Sequence, residues 1–230
     1  MDFFLHIPKS AGTAVRTLIA KNSKTITPDQ LLVVYDNETS IDSIDRDKYK
    51  IVFGHFGMNF IRKFKQPEDR IFTFLRDPHD RLISFYNYWI SGQANSVGSE
   101  LSKNMSIDEF LASDIDNIKE QVNNIQTWMY AADYRIRERK RLENLLNYEI
   151  LAIAKNNIEK FDFIGFQDTF NDSMIQLAPL VGIDPSSLKL KKINETKLKT
   201  LDKIDISKTK KYISLDMHIY EIAKKISKIK

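Results

Sequence analysis

Residues 3–21 read FFLHIPKSAGTAVRTLIAK. A short apolar run over 3–7 halts at Pro8-Lys9, passes through Ser10, Ala11, Gly12 and Thr13, and resumes at Ala14 with helical spacing. The pattern predicts a fully buried strand, a tight loop, and a helix over about residues 13–21. In open α/β sheets, ligands bind where strands end and helices begin. Small residues at such a crossing let several backbone N–H groups point into one hollow, and the following helix adds its positive end. Lys9 supplies a full charge at the rim. Two readings fit this spacing equally well: an oxyanion cradle, or a tight turn whose lysine faces water. A Walker A loop requires GxxxxGK[ST]; here the leading glycine is missing and the lysine precedes the loop's one glycine, so an ordinary nucleoside triphosphatase fits poorly.

Working outward, further buried strands are expected at LLVVY (31–35), around 51–53 in YKIVFGHFG, at RIFTFL (70–75) and at FDFIGF (161–166). Helical apolar spacing covers about 78–91, 106–112, 115–131, 143–159, 169–181 (stopped by Gly182, with Pro185 after it) and the C-terminal ISLDMHIYEIAKKISKIK. Residues 95–103, rich in Ser and Gly, read as a mobile polar segment. Short buried strands separated by helices predict an α/β fold: a P-loop-like three-layer arrangement with a central parallel sheet flanked by helices. A single domain over 1–230 is expected, with a mostly helical region at 92–160.

The totals agree with one large domain. The chain has 230 residues, 42% hydrophobic and 29% charged, with only seven Gly and six Pro, so long flexible linkers are not expected. It contains no cysteine, which excludes disulfides and cysteine-ligated metal and fits a reducing compartment. Four histidines, scattered along the chain, suggest no metal cluster. No apolar run reaches membrane-span length and no leader precedes the first strand, so a complete cytoplasmic protein is expected, and the Ile, Lys and Asn content suggests a bacterial source. The net charge is +4, and residues 189–230 hold thirteen lysines and no arginine. These lysines read mainly as a solvated face, with a field attractive to anions as the sharper alternative. Nucleic acid is not an expected partner, because arginine and aromatic residues do not interleave.

A second anion site is suggested by FLRDPHDRLISFYNYW (74–89). Asp77 can cap a helix that begins at Pro78, and Asp80 stands where a capping-box acid would. Arg76 then sits at a strand tip, and Ser84 lies two turns into the helix, away from Leu82, Phe85 and Trp89. The two can converge on one phosphate. Taken singly, Arg76 also reads as a salt-bridge partner of Asp77 or Asp80, and Ser84 as a back-bonded helix residue. Two phosphate sites at neighbouring strand ends suit a nucleoside with phosphates at both ends.

HIPKSAGT, GHFG and LRDPHDRLISFYNY, in that order, resemble the cytosolic and Golgi sulfotransferases, and within them the carbohydrate group that contains heparan sulfate 2-O-sulfotransferases. FIGFQDTFNDSMIQLAPLVGI and LDMHIYEIAKK are also similar to that group, and the region 92–160 is loosely matched. The resemblance implies transfer of a sulfuryl group from 3′-phosphoadenosine 5′-phosphosulfate (PAPS) to an acceptor hydroxyl. It implies that Lys9, Ser10, Ala11, Gly12, Thr13 and Ala14 form the 5′-phosphosulfate loop, with Lys9 also steadying the bridging oxygen. Arg76 and Ser84 match the pair that binds the 3′-phosphate, and adenine is expected near Asn194, Glu195, Thr196 and Lys197. His55, at a strand end between Gly54 and Gly57, matches the general base of the resembling glycan sulfotransferases.

An imidazole suits removal of the acceptor proton at neutral pH. Of the other histidines, His6 reads as a hydrogen-bonded core residue, His79 as part of a helix cap, and His218 as exposed. No metal is required by this chemistry, since Lys9, backbone amides and a helix end supply positive charge. The acceptor is expected to be a small molecule or a glycan. Tyr86, Tyr88, Trp89, Trp128 and Tyr130 are candidate stacking residues, and RIRERKR (135–141) is either a glycan grip or a solvated face. Rival readings are a P-loop kinase of a small metabolite and a non-catalytic nucleotide-binding module. The sequence does not set the oligomeric state.

Overall fold

The computed structural model describes residues 1–34, 43–94, 96–190 and 205–228. Among them, five strands form one sheet: β1 (Asp2–His6), β2 (Leu31–Val34), β3 (Ile51–Gly54), β4 (Ile71–Leu75) and β5 (Phe163–Phe166). The sheet order is β2-β3-β1-β4-β5, and every pairing is parallel. The connection after β1 leads to one side of the sheet and the connection after β3 crosses to the other. The topological switch point therefore lies at β1, between β3 and β4.

The described helices are α1 (Gly12–Asn22), α2 (Met58–Phe64), α3 (Pro78–Ile90), α4 (Val97–Ser102), α5 (Ile107–Leu111), α6 (Asp116–Val122), α7 (Ile125–Ala131), α8 (Ile136–Arg139), α9 (Asn147–Ile158), α10 (Phe170–Leu177), α11 (Ile206–Thr209) and α12 (Ser214–Ser227). Strand side chains alternate between two cores, as a period of two requires. Phe3, Leu5, Val52, Ile71, Leu75 and Ile164 pack with residues of α2, α7, α9 and α12 on one face. Phe4, Ile51, Phe53, Phe72, Phe74 and Phe163 pack with α1 and α10 on the other. This is the three-layer α/β arrangement expected from the buried strands. A third cluster, including Leu82, Phe85, Trp89, Phe110 and Ile118, joins α3 to α5 and α6. No described helix is long and apolar enough to cross a membrane.

Two sequence expectations give way to tertiary contacts. The polar stretch 95–103, read as mobile, carries α4. Ser96 caps it through Ser99 N (3.2 Å), and the Ser99 hydroxyl donates to Trp89 O (2.9 Å). Gly98 makes this docking possible, because a Cβ there would lie 2.2 Å from the Trp89 ring. The single helix expected over 115–131 is broken into α6 and α7 at Asn124, whose φ is +50°.

The cause of that break is a reciprocal cap. Asn124 Oδ1 accepts from Leu215 N and Asp216 N at the start of α12 (2.8 and 3.2 Å). In return, the Asp216 carboxylate accepts from Gln126 N, Thr127 N and Thr127 Oγ1 at the start of α7 (3.2, 2.7 and 2.8 Å). Each helix thus fills the orphan donors of the other. Burial pushes the Asp216 carboxyl above its usual range, opposed by the Thr127 amide and by the positive charge of Arg81. Asp216→Ala removes three accepted bonds and leaves the buried Arg81 without its counter-charge. The substitution is expected to cost about 3 to 5 kcal/mol of stability, read by urea denaturation.

Candidate functional site

The loop after β1 is tightly wound. Lys9 and Ala11 both adopt left-handed backbone, with φ of +69° and +65°. For non-glycine residues this conformation costs about 1 to 3 kcal/mol each, and it clusters where backbone donors must be aimed. Helix α1 follows with no side-chain cap at Ala11 and no acidic residue in its first turn. Among the described residues the amides of Gly12 and Thr13 have no acceptor, whereas Ala14 N and Val15 N donate to Ala11 O (2.9 and 3.2 Å). Ser10 is fully buried, yet its hydroxyl has no hydrogen-bond partner among the described residues. A buried hydroxyl without a protein partner is uncommon in folded chains.

Lys9 extends over the Tyr88 ring, its ammonium 4.0 Å from the centroid. Desolvation, and then the charge of Arg76, lower its pKa to about 8. Arg76 follows β4, the neighbour of β1, and its Nη1 donates to Lys9 O at 3.4 Å. Its Nε is buried without a partner. The salt bridge open to it in sequence is not formed among the described residues, because Asp77 Oδ1 is occupied by the amides of His79 and Asp80 (3.0 and 3.1 Å). Ser84 is buried on α3 one turn before Tyr88, hence on the same face as the ring beneath Lys9. No back-bond from its hydroxyl to the helix is present among the described residues.

Two residues that sequence reading passed over hold this corner. The Gln126 side chain clamps the Arg76 backbone, donating to Arg76 O (3.1 Å) and accepting from Arg76 N (3.4 Å). Arg81 lies fully buried in the first turn of α3 and donates to Gln121 O. Burial lowers its pKa to about 10, and its Nε and Nη1 have no described partner. Gln126 lies 50 residues from Arg76 in sequence, so no local pattern points to the pairing.

On the other side of β1, β3 delivers His55. Its amide donates to Val34 O (3.2 Å), and Gly57 N donates to Asp133 Oδ2 (3.1 Å). Both flanking glycines are required by close backbone approach, since a Cβ on Gly54 would lie 2.1 Å from Val34 O and one on Gly57 2.2 Å from Ala132 O. The His55 ring lies 4.5 Å, centroid to centroid, from that of His6.

His6 corrects an expectation. It is partly accessible at the end of β1, and its ring nitrogens have no hydrogen-bond partner among the described residues. Desolvation, followed by the charges of His55, Arg16 and Lys9, holds its pKa well below the usual imidazole value. The available sequence signal was its place as the last strand residue before the cradle. His79 is structural, with Nδ1 2.8 Å from Thr209 Oγ1, and His218 is exposed on α12.

Lys9, Ser10, Ala11, Gly12, Thr13, Ala14, His55, Arg76 and Ser84 thus come from one edge of the sheet and its adjoining loops and helices. Asn194, Glu195, Thr196 and Lys197 lie outside the described residues. Of the candidate stacking residues, Tyr86, Trp89 and Tyr130 are core, whereas Tyr88 and Trp128 stay partly accessible. Neither reading of RIRERKR holds for the whole run. Arg135 turns inward onto Asp133 (2.7 and 2.8 Å), and Arg139 lies over Trp128 at 4.7 Å, while Arg137, Lys140 and Arg141 are exposed. An open cleft of about 820 Å³ lies between α5 and α11; Asp108, Lys208 and Tyr212 line it, and none of Lys9, His55, Arg76 or Ser84 does. No group of three or more His, Asp or Glu side chains is placed to hold a metal among the described residues.

The molecule is thus an α/β protein whose all-parallel sheet carries, at its switch point, a helix start without a side-chain cap and cations at the adjoining strand ends. Residues 3–226 match the model of the Sulfotransferase family, and the chain belongs to that family. The match is to the family as a whole and does not single out a heparan sulfate branch. Mouse sulfotransferase SULT7A1, solved in complex with PAP, is similar at 13% identity with a TM-score of 0.39. The alignment covers 98% of this chain and 64% of that one, so the chain spans less than two thirds of its length. No curated protein is significantly similar in sequence.

The lowered Lys9 pKa sets a pH dependence. Below about pH 8 the ammonium is already present, whereas above it an anion must draw in a proton to be met by a cation. Affinity for an anionic probe such as adenosine 3′,5′-bisphosphate (PAP), whose phosphates are fully ionised above about pH 7.5, would fall by up to ~10-fold per pH unit above pH 8 if Lys9 meets the anion. Calorimetry from pH 7.5 to 9.5 reads this, and Lys9→Met should flatten the profile.

Proposed function

We propose that this protein transfers the sulfuryl group of PAPS to a hydroxyl of a carbohydrate acceptor by in-line displacement. The observation that carries the reading is the adjacency of three strand ends: β3 with His55, β1 with the Lys9 cradle, and β4 with Arg76. PAPS carries an anionic group at each end of one nucleoside. The residues present fit it, because the buried Ser10 hydroxyl and Arg76 Nε lack partners at the places where those two groups would sit.

In this reading the free amides at the start of α1 and the Lys9 ammonium hold the 5′-phosphosulfate. Arg76 and Ser84 hold the 3′-phosphate. Sulfuryl transfer resembles phosphoryl transfer in its loose, in-line transition state, so positioning and charge stabilisation do most of the work. As the acceptor oxygen bonds to sulfur, its proton passes to the His55 imidazole. The bond between sulfur and the bridging oxygen breaks, Lys9 balances the charge that grows on that oxygen, and PAP leaves. The carbohydrate acceptor is supported by the resemblance of HIPKSAGT, GHFG and LRDPHDRLISFYNY to the glycan sulfotransferases.

Incubation with labelled PAPS and a panel of glycans tests the activity directly; absence of transfer to every hydroxyl acceptor would sink the proposal. His55→Ala is expected to lower kcat by about 10²- to 10⁴-fold with PAP affinity retained, and undiminished turnover would remove His55 from the mechanism. Arg76→Ala should weaken PAP far more than adenosine 5′-phosphosulfate, as read by calorimetry. Equal losses for both ligands would show that Arg76 does not meet the 3′-phosphate.

A further inference from the structure

The cradle contains one side chain that neither the family match nor the strand-end reading assigns. The His6 ring packs directly on the first residue of α1: a Cβ on Gly12 would lie 1.9 Å from His6 Cδ2 and 2.2 Å from Nε2. Nε2 therefore sits beside the uncapped first turn, where the free amides gather. The other side of the ring meets His55 at 4.5 Å and Phe53 at 5.4 Å.

The charges that act on His6 are those of His55 from the end of β3, Lys9 from the loop, and Arg16 from α1. Among the described residues, no carboxylate is one of them. Burial, with Arg16 and Lys9 nearby, disfavours the protonated form of an imidazole whose nitrogens have no described partner. An anion held at that turn would reverse the balance, because its negative charge would offset the repulsion from Lys9 and Arg16.

We propose that His6 is a ligand of the 5′-phosphosulfate, taking a proton from solvent as the anion enters and donating from Nε2 to it as an imidazolium. This rests on the reading of the cradle as the phosphosulfate site. It adds a third charge to Lys9 and the helix end, one that appears only with the ligand.

Adenosine 5′-phosphosulfate is the suitable probe, since its acidic groups are strong acids and any proton taken up near pH 6 goes to the protein. Proton uptake is read with a pH electrode in weakly buffered salt as this ligand is added to the full-length chain. At pH 6 Lys9 is already protonated and does not contribute. The wild type is expected to take up roughly half to one proton per ligand bound. His6→Asn should lose most of that uptake and bind the ligand about tenfold more weakly at pH 6, with less than about a twofold difference at pH 8. His55→Gln should keep most of the uptake.

No uptake by the wild type overturns the assignment, whatever the variant does. Equal uptake in wild type and His6→Asn, or loss of uptake in His55→Gln alone, does so too. Should Lys9→Met weaken binding while the wild type takes up no proton, the cradle reading stands and the His6 assignment falls. If the wild type does not bind the ligand at all, both fall.

Discussion

The parallel register around β1 is the constraint on which the site depends. Leu5 pairs with Gly54 on one side and with Thr73 on the other, so His6 is level with His55 and Phe74. Parallel strands about 5 Å apart then bring three loops to one edge of the sheet within a few residues of each other. A one-residue slip of β3 or β4 would turn its side chains to the opposite core, where the facing residues no longer fit. The large aromatic side chains of Phe3, Phe4, Phe53, Phe72 and Phe74, all fully or nearly fully buried, make such a slip costly. Precision at the edge is therefore bought by packing in the middle.

The edge itself is electrostatically unfinished. Lys9 and Arg76 approach closely enough for Nη1 of one to reach the carbonyl of the other, and each is depressed in pKa by burial. Two left-handed residues, an uncapped helix and a buried orphan hydroxyl occupy the same few residues. Each of these is unfavourable in isolation, and in the proposed function a single ligand of opposite charge would relieve them together. The stable parts of the fold supply the compensation, which is the usual division of labour between scaffold and site.

Arg76 is held less by its neighbours in sequence than by a chain of distant contacts. Gln126 grips its backbone; Asp216 fixes the first turn of α7, on which Gln126 lies; and Asn124 fixes the start of α12, on which Asp216 lies. The helices beyond β4 thus do more than wall the site. They lock a strand tip that has no further ladder to hold it. The same region shows why aromatic and basic residues are poor guides to a binding surface: Tyr130 and Trp89 fill cores, and Arg135 and Arg139 satisfy acceptors inside the fold.

The sequence by itself determined the parallel α/β class, the tight loop after β1, the cap of α3 at Asp77 and the strand-end places of His55 and Arg76. All of these follow from local patterns: apolar runs of strand length, small residues next to a lysine, and a Pro at a helix start. Tertiary structure alone decided the sheet order, the break at Asn124, the docking of α4 on Trp89, and the environment of His6. Those depend on partners tens of residues away. His6 looked like a core residue because its strand is apolar, and only the packing of Gly12 and His55 against its ring reveals that it faces the charged edge.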